Sequence, residues 1–155
     1  MDNNEKEIQQ LKTKIAYYEL VIHELSAPII PSLIDDTILV PIAGPLSPGR
    51  LESIRTRVLN YCADQREVNC AAFDFTGVEL KDLAQLDFNV FAIEISQLNA
   101  ALKLMGIRPI YVGFNPQLVR EIVQSGLHVE IETYATFKTA LTILFNANGQ
   151  SLHSV

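Results

Sequence analysis

The most regular pattern of apolar positions lies at the start of the chain. Six apolar side chains recur there at alternating spacings of three and four: Ile8, Leu11, Ile15, Tyr18, Ile22 and Leu25. This spacing predicts a helix over residues 3–25 whose apolar stripe forms a coiled-coil seam. Isoleucine at every a position with mostly leucine at d favours two parallel strands. The alternative is one amphipathic helix that packs on its own domain.

Charges beside this seam favour pairing with a second copy of the chain. In a parallel pair, the g residue of one helix faces the next e residue of its partner, which brings Glu7 to Lys12 and Lys14 to Glu19. Each exposed pair contributes only ~0.2–1 kcal/mol to dimer stability. These charges therefore determine which helix pairs and in which orientation more than they stabilise the dimer. We therefore expect residues 1–25 to be a homodimerisation helix, although three heptads are marginal on their own.

Beyond Pro28, which ends the helix, apolar runs and breakers alternate in the way typical of an α/β domain. The predicted elements are, in chain order, strands at 29–34 and 38–42, a helix at 47–61, a strand at 68–75, a helix at 82–105, a strand at 110–113, a helix from 115 to before 126, a strand at 129–132 and a helix at 136–145. This order predicts a mixed, mainly parallel sheet with crossover helices after an antiparallel hairpin. We expect one domain over residues 26–145 and a flexible tail over residues 146–155.

The predicted helix at 82–105 carries more apolar surface than one core face requires. Two stripes lie at helical spacing, with Phe88, Phe91, Ile95, Leu98 and Leu102 on one and Leu83, Leu86, Val90 and Ile93 on the other. Either the helix is sandwiched within the domain or part of it meets another protein.

Composition and charge disfavour several function classes. The 155 residues include 12 Lys and Arg against 18 Asp and Glu, so the net charge is −6 and the chain lacks the basic clusters that nucleic acid or anionic lipid require. No apolar run approaches the ~18 residues of a membrane span, and we expect a cytoplasmic protein.

Cys62 and Cys70 lack CxxC spacing, which favours reduced structural thiols. Because His23, His128 and His153 are isolated, we expect no metal and no cofactor.

Candidate chemistry is confined to the end of the strand at 68–75. Asp74, Thr76 and Gly77 emerge there, where ligand sites in open α/β sheets lie. The order Asp-x-Thr-Gly is typical of enzymes with an aspartyl-phosphate nucleophile, but no lysine motif follows it. The alternative is that Asp74 and Thr76 bond to backbone amides of the turn after the strand. We favour this alternative and predict no enzymatic activity.

Six short segments of the chain also resemble a known family. They are ELSAPIIP at 24–31, PIAGPL at 41–46, DFTGV at 74–78, LMGI at 104–107, GFNP at 113–116 and TYAT at 133–136. In this order and spacing they resemble the STAS domain of RsbR-type stressosome proteins over about residues 24–144. The resemblance implies a STAS fold and a non-enzymatic module similar to the antagonists of anti-sigma factors.

The same resemblance implies partners. STAS domains of this family are switched by a serine/threonine kinase, and in stressosomes they join other STAS proteins in a large shell. Full-length members carry an upstream sensor domain on a helical dimer linker, to which residues 8–25 would correspond. We expect this chain to be a minimal or shortened form of that arrangement.

Two positions depart from the family pattern. The family phosphoacceptor directly follows an aspartate at the start of the long helix, where the helix dipole and free amides can hold a phosphate. Asp82 matches that aspartate, but Leu83 follows it, and Glu121 aligns with a second family threonine. We therefore expect a scaffold that is insensitive to phosphorylation. Its switch and partner surface would comprise Asp74, Thr76, Gly77, Asp82, Leu83 and Glu121.

Two other functions remain open from the sequence. One is a stand-alone antagonist that binds a serine/threonine kinase one to one, which requires a phosphoacceptor after Asp82. The other is binding of a small molecule or nucleotide at residues 74–82, although no glycine-rich phosphate cradle is present there.

Overall fold

The first element is a long helix, α1, which spans Asn3–Leu25 as the seam predicts. The computed structural model describes residues 2–32, 34–124, 126 and 130–147. At the end of α1, the Ser26 hydroxyl donates to the Ile22 carbonyl at 2.8 Å, and Pro28 lies just beyond. The helix therefore ends where the proline was expected to end it.

Five strands form one sheet within the described residues, in the spatial order β1-β2-β3-β4-β5. The strands are β1 (Ile30–Pro31), β2 (Thr37–Ala43), β3 (Cys70–Gly77), β4 (Arg108–Val112) and β5 (Glu132–Tyr134). β1 pairs antiparallel with β2, and every later neighbour pair is parallel. The predicted hairpin and mainly parallel sheet are confirmed.

The helices after α1 cover both faces of the sheet. They are α2 (Pro48–Asp64), α3 (Phe88–Leu104), α4 (Pro116–Gln124) and α5 (Phe137–Ala147). Because side chains alternate along a strand, Phe73 and Tyr111 join the core under α2, α3 and α4. Cys70 and Ile110 point to the opposite face and pack with α5. Right-handed crossovers between neighbouring parallel strands place α2, α3 and α4 on one side.

Strand β3 is buried on both faces, as its continuous apolar run predicts. Cys70, Ala71, Ala72 and Phe73 are all buried. Cys62 of α2 is also buried, and both cysteines are free thiols, as predicted.

The predicted helix at 82–105 is wrong at its beginning. A 3-10 turn over Leu80–Leu83 replaces its first turn, and it is separated from α3 by four residues. The Asp82 carboxylate accepts the N–H of Glu79 at 2.9 Å, which closes this turn on itself. Asp82 therefore does not stand at the start of the long helix.

Helix α3 begins instead at a second aspartate. The Asp87 carboxylate accepts the N–H of Asn89 at 2.8 Å and caps the helix. At the other end, Gly106 has a φ of 78°, the left-handed conformation in which glycine commonly closes a helix. The predicted end of this helix is confirmed.

Most of the apolar surface of α3 lies inside the domain. Phe91, Ile95, Leu98 and Leu102 of the first stripe are buried, whereas the buried residues of the second stripe, Leu83 and Leu86, lie before α3. Ile93 stays 46% exposed and Leu104 stays 90% exposed. Helix α3 is therefore buried along one face, and it is not sandwiched within the domain.

Two predicted boundaries near the C-terminus differ from the structure. The strand predicted at 129–132 lies later, as β5, and residue 129 is outside the described part of the chain. Helix α5 continues through Ala147, so the first two residues of the predicted tail are helical. The rest of the predicted tail, at 148–155, lies outside the described residues, as do His128 and His153.

None of the described helices is long and apolar enough to cross a membrane.

Candidate functional site

The candidate site is centred on the turn that follows β3. Asp74 pairs with Pro41 on one side and with Val112 on the other, so it is the last residue of β3 held by both neighbours. Its Oδ1 accepts the backbone N–H of Thr76 at 2.9 Å and the Thr76 hydroxyl at 2.6 Å. The carboxylate therefore stabilises its own turn, as expected when a short polar side chain bonds to a nearby amide.

Glycine allows three strand ends to approach closely at this turn. A Cβ at Gly77 would lie 2.7 Å from the Cβ of Ala43 at the end of β2. A Cβ at Gly113, just after β4, would overlap the Thr76 hydroxyl and lie 2.7 Å from the Thr76 nitrogen. Gly44 donates its N–H to the Gly77 carbonyl at 3.4 Å. The ends of β2, β3 and β4 thus form one close-packed backbone cluster.

Asp82 and Leu83 belong to the same region but do not form its surface. Asp82 is 8% exposed, and its backbone carbonyl accepts the N–H of Leu46 at 3.0 Å. Leu83 is 4% exposed and packs in the main core. The expectation that both side chains present a partner surface is therefore wrong. The 3-10 turn that ends at Leu83 points this side chain inward.

Glu121 lies elsewhere in the fold. It is half-buried on α4, which begins beyond the end of β4. Among the described residues, no hydrogen bond or ion pair joins Glu121 to the Asp74 turn. The structure therefore brings together Asp74, Thr76 and Gly77, ties Asp82 to them through the loop after β2, and leaves Glu121 apart.

Arg50 connects this region to α1, and sequence analysis missed it. Its guanidinium donates to the Pro45 carbonyl at 2.8 Å and to the Ser26 carbonyl at 3.4 Å. Burial lowers the pKa of Arg50, while the charge of Asp82 acts in the opposite direction. Arg50 thus joins the end of α1 to the loop after β2, in which the N–H of Leu46 donates to the Asp82 carbonyl. No local pattern reveals this role, because Ser26 is 24 positions away in the chain.

Helix α1 projects its apolar stripe into solvent. No residue of α1 is buried. The six seam residues are each 52–68% exposed: Ile8, Leu11, Ile15, Tyr18, Ile22 and Leu25. The alternative of an amphipathic helix packed on its own domain is therefore wrong for this stripe. A second arginine of α2, Arg57, fixes the last turn of α1 by donating to the Glu24 carbonyl at 2.6 Å.

Other chemistry is sparse in the part of the chain that the structure describes. It contains no group of three or more His, Cys, Asp or Glu side chains that could hold a metal. Burial raises the pKa of the Cys62 thiol, and that of the Cys70 thiol rises to about 11, so both favour the protonated form. Both thiols are buried, and the Asp74 carboxylate is bonded within its own turn.

No protein-family model matches the chain. Sequence comparison finds the RsbT co-antagonist protein RsbRB of Bacillus subtilis, 32% identical over 126 residues, which cover 81% of this chain and 42% of that protein. RsbRA of the same organism is 27% identical over 124 residues, which cover 80% of this chain and 42% of the relative. The chain thus spans about two fifths of the length of these relatives.

Structural comparison finds single-domain proteins of the same fold. A singly substituted form of RsbS from Moorella thermoacetica superposes with a TM-score of 0.62 at 17% identity, covering 80% of this chain and 98% of that one. The unphosphorylated anti-sigma factor antagonist SpoIIAA gives 0.53 at 16% identity, covering 76% and 96%. The predicted STAS fold is confirmed, and the chain is a non-enzymatic STAS domain related to the RsbR co-antagonists.

Proposed function

We propose that this chain is an RsbR-like scaffold or regulatory subunit of a stressosome, acting in the general stress pathway that controls a sigma factor. The similarity to the RsbT co-antagonists supports this assignment, because it extends over 81% of the chain. The proposed partners are other STAS proteins, a serine/threonine switch kinase of the RsbT type and a second copy of the chain.

The proposal depends on the observation that a buried leucine, Leu83, follows Asp82 at the position of the family phosphoacceptor. Leu83 has no hydroxyl and is buried in the core, so the position of the family phosphoacceptor is chemically and sterically closed. Thr76 is exposed nearby, but its hydroxyl donates to the Asp74 carboxylate, whose charge would repel a phosphate at that site. Glu121 supplies a fixed negative charge at the second family position. We therefore infer a subunit whose state does not depend on its own phosphorylation.

Pairing through α1 is the second part of the proposal. An exposed apolar stripe of six residues on one helix is typical of an interaction surface, and its a and d positions favour a parallel pair. In such a pair the seam becomes buried, and the two STAS domains stand side by side at one end. This arrangement suits a subunit that offers its domain to a larger assembly.

A kinase assay tests the phosphorylation part. The chain is mixed with an RsbT-type kinase, ATP and an RsbS-type STAS protein, which serves as the positive control for kinase activity. We expect phosphate on the control protein and none on this chain by mass spectrometry. Stoichiometric labelling of Thr76 or Ser96 that alters binding of the STAS partner would overturn the proposal. A Thr76→Val variant would then identify the labelled site.

Light scattering behind a sizing column tests the pairing part. We expect the full chain to be a dimer and Ile15→Asp to be a folded monomer, because an aspartate in the seam would be buried without a partner. Thr13→Asp places the same charge off the seam, at an f position, and should leave the dimer intact. A dimer that survives Ile15→Asp would show that the pairing surface lies elsewhere. A wild-type monomer that binds the kinase one to one would favour the stand-alone antagonist.

A further inference from the structure

Two grooves flank the last turns of α1, and they differ in chemistry. In the first, Ile22 and Leu25 face Ala43 and Pro45 across a groove of about 670 Å³, which the charged side chains of Glu19 and Arg50 also line. A second groove of about 490 Å³ adjoins the first at His23, Gly49 and Ser53 and has more polar walls. Its lining comprises His23, Glu24, Gly49, Glu52, Ser53, Thr56, Arg57 and Asn60.

We propose that the groove lined by Ile22, Leu25, Ala43 and Pro45, here called the linker groove, receives the last turns of α1 from the second copy of the chain. The dimer interface then continues from the helix pair onto the loop that joins β2 and α2. This inference rests on the pairing of α1 proposed above and names the part of the domain that takes part in it.

The position of the seam leads directly to this occupant. Ile22 is the last a residue and Leu25 the last d residue of the seam, and both also line the linker groove. Helices in a coiled coil lie about 8–10 Å apart, so a partner helix that contacts these two side chains must enter the space beside them. Ala43 and Pro45 form the far wall of that space. The polar groove shares His23 with the linker groove and extends from there past Glu24, at position c, which a coiled-coil partner does not contact.

The extra contact supplies apolar burial that three heptads lack. A seam of this length is marginal on its own, so a stable dimer needs further surface. Ile22 is 64% exposed and Leu25 is 68% exposed, and both exposed walls of the groove can be covered at once by one helix. Glu19 also lines the groove, at an e position where Lys14 of the partner helix would offset its charge.

This arrangement connects dimerisation to the close-packed backbone at the ends of β2, β3 and β4. In the loop that forms the far wall, the N–H of Gly44 donates to the Gly77 carbonyl, and the N–H of Leu46 donates to the Asp82 carbonyl. A helix seated against Pro45 would therefore hold the loop on which the Asp82 turn depends. Pairing of α1 would therefore also stabilise the conformation of the Asp82 turn.

A charge placed on the far wall tests the proposal. We expect Pro45→Glu to raise the dimer dissociation constant by about tenfold or more, because the carboxylate would face an apolar helix. Sedimentation equilibrium measures the constant, and far-UV circular dichroism checks that the domain stays folded. Thr56→Glu, which places the same charge in the polar groove, should leave the constant within about twofold of the wild type.

The outcomes separate this inference from the function on which it rests. If Ile15→Asp is monomeric but Pro45→Glu pairs like the wild type, the helices pair and the linker groove is not part of the interface. If the wild type is a monomer, or if Ile15→Asp remains a dimer, the proposed pairing of α1 fails, and the groove inference fails with it.

Hydrogen exchange on chains with an unaltered groove provides an independent measurement. We expect the amides of Gly44 and Leu46 to exchange several-fold more slowly in the wild-type dimer than in the Ile15→Asp monomer, because the partner helix covers their loop. Equal exchange rates in the two forms would overturn the proposal, even if the Pro45→Glu variant proved unstable.

Discussion

Gly113 lies directly against Thr76 across the ends of β3 and β4. Its φ of 73° belongs to the left-handed region, and an added Cβ would overlap the Thr76 hydroxyl that donates to Asp74. The glycine therefore serves two purposes at once. It turns the chain after β4, and it leaves room for the Asp74–Thr76 turn.

We predict that Gly113→Ala destabilises the domain more than an ordinary glycine replacement does. The left-handed conformation alone costs alanine about 1–2 kcal/mol, and the displacement of Thr76 should bring the total loss in the free energy of unfolding to roughly 2–4 kcal/mol. Gly106→Ala is the matched control, because Gly106 has a φ of 78° but no atom within 4 Å of its added Cβ. Urea unfolding of the two variants gives both values. Equal losses would mean that the contact with Thr76 is unimportant.

Features with a local signal in the sequence could be predicted closely. The spacing of the apolar stripe gave α1 its bounds, because a seam repeats at every turn and Pro28 ends it. Two further helix starts are confirmed at their predicted caps. Ser47 accepts the N–H of Arg50 at 3.2 Å, and Asn115 accepts the N–H of Gln117 at 2.8 Å. Short polar caps act over two or three residues, so one sequence window contains the whole interaction.

Features that depend on competing or distant contacts could not be predicted. Asp82 and Asp87 are both good cap residues, and apolar periodicity continues through both, so the pattern does not reveal that the chain turns between them. The family resemblance places Leu83 on a partner surface, but the turn before α3 buries this side chain. The contact of Arg50 with the Ser26 carbonyl depends on how α1 meets the domain, which no local window contains.

We predict that the stability of the domain falls as the pH rises above about 9. Burial raises the pKa of the Cys70 thiol from its ordinary value near 9 to about 11, so the folded chain keeps a proton that the unfolded chain releases between these values. The unfolded state is therefore favoured increasingly over this window, by up to ~1.4 kcal/mol for each pH unit and each such thiol. Urea unfolding at pH 8, 9, 10 and 11 measures the slope.

Substitution of the two cysteines assigns that slope. Cys70→Ala should flatten the decline, whatever the stability lost at neutral pH, because the titrating thiol is gone. Cys62→Ala should flatten it less, since burial raises the pKa of Cys62 without the large shift of Cys70. An unchanged slope in Cys70→Ala would assign the decline to other groups, such as Tyr111, whose pKa burial also raises.

We predict that Arg57→Gln loosens the attachment of α1 without weakening the domain. The Arg57 guanidinium donates to the carbonyls of Glu24 and His23 in the last turn of α1, where a cation is favourable. The His23 carbonyl also accepts the N–H of Ser26. Without the Arg57 guanidinium, the amides of residues 23–27 should exchange several-fold faster, while the free energy of unfolding changes by less than ~1 kcal/mol. Arg66→Gln is the matched control, because Arg66 is exposed and makes no hydrogen bond or ion pair within the described residues.

The same measurement on Arg50→Gln distinguishes attachment from coupling. Arg50 holds the Ser26 carbonyl and also the loop at Pro45, whose neighbour Leu46 donates to the Asp82 carbonyl. Faster exchange should therefore extend beyond the end of α1 to the amide of Leu46 and to the turn at Leu80–Leu83. In Arg57→Gln it should stop at Ala27. If both variants loosen only the end of α1, Arg50 anchors the helix but does not transmit its position to the Asp82 turn.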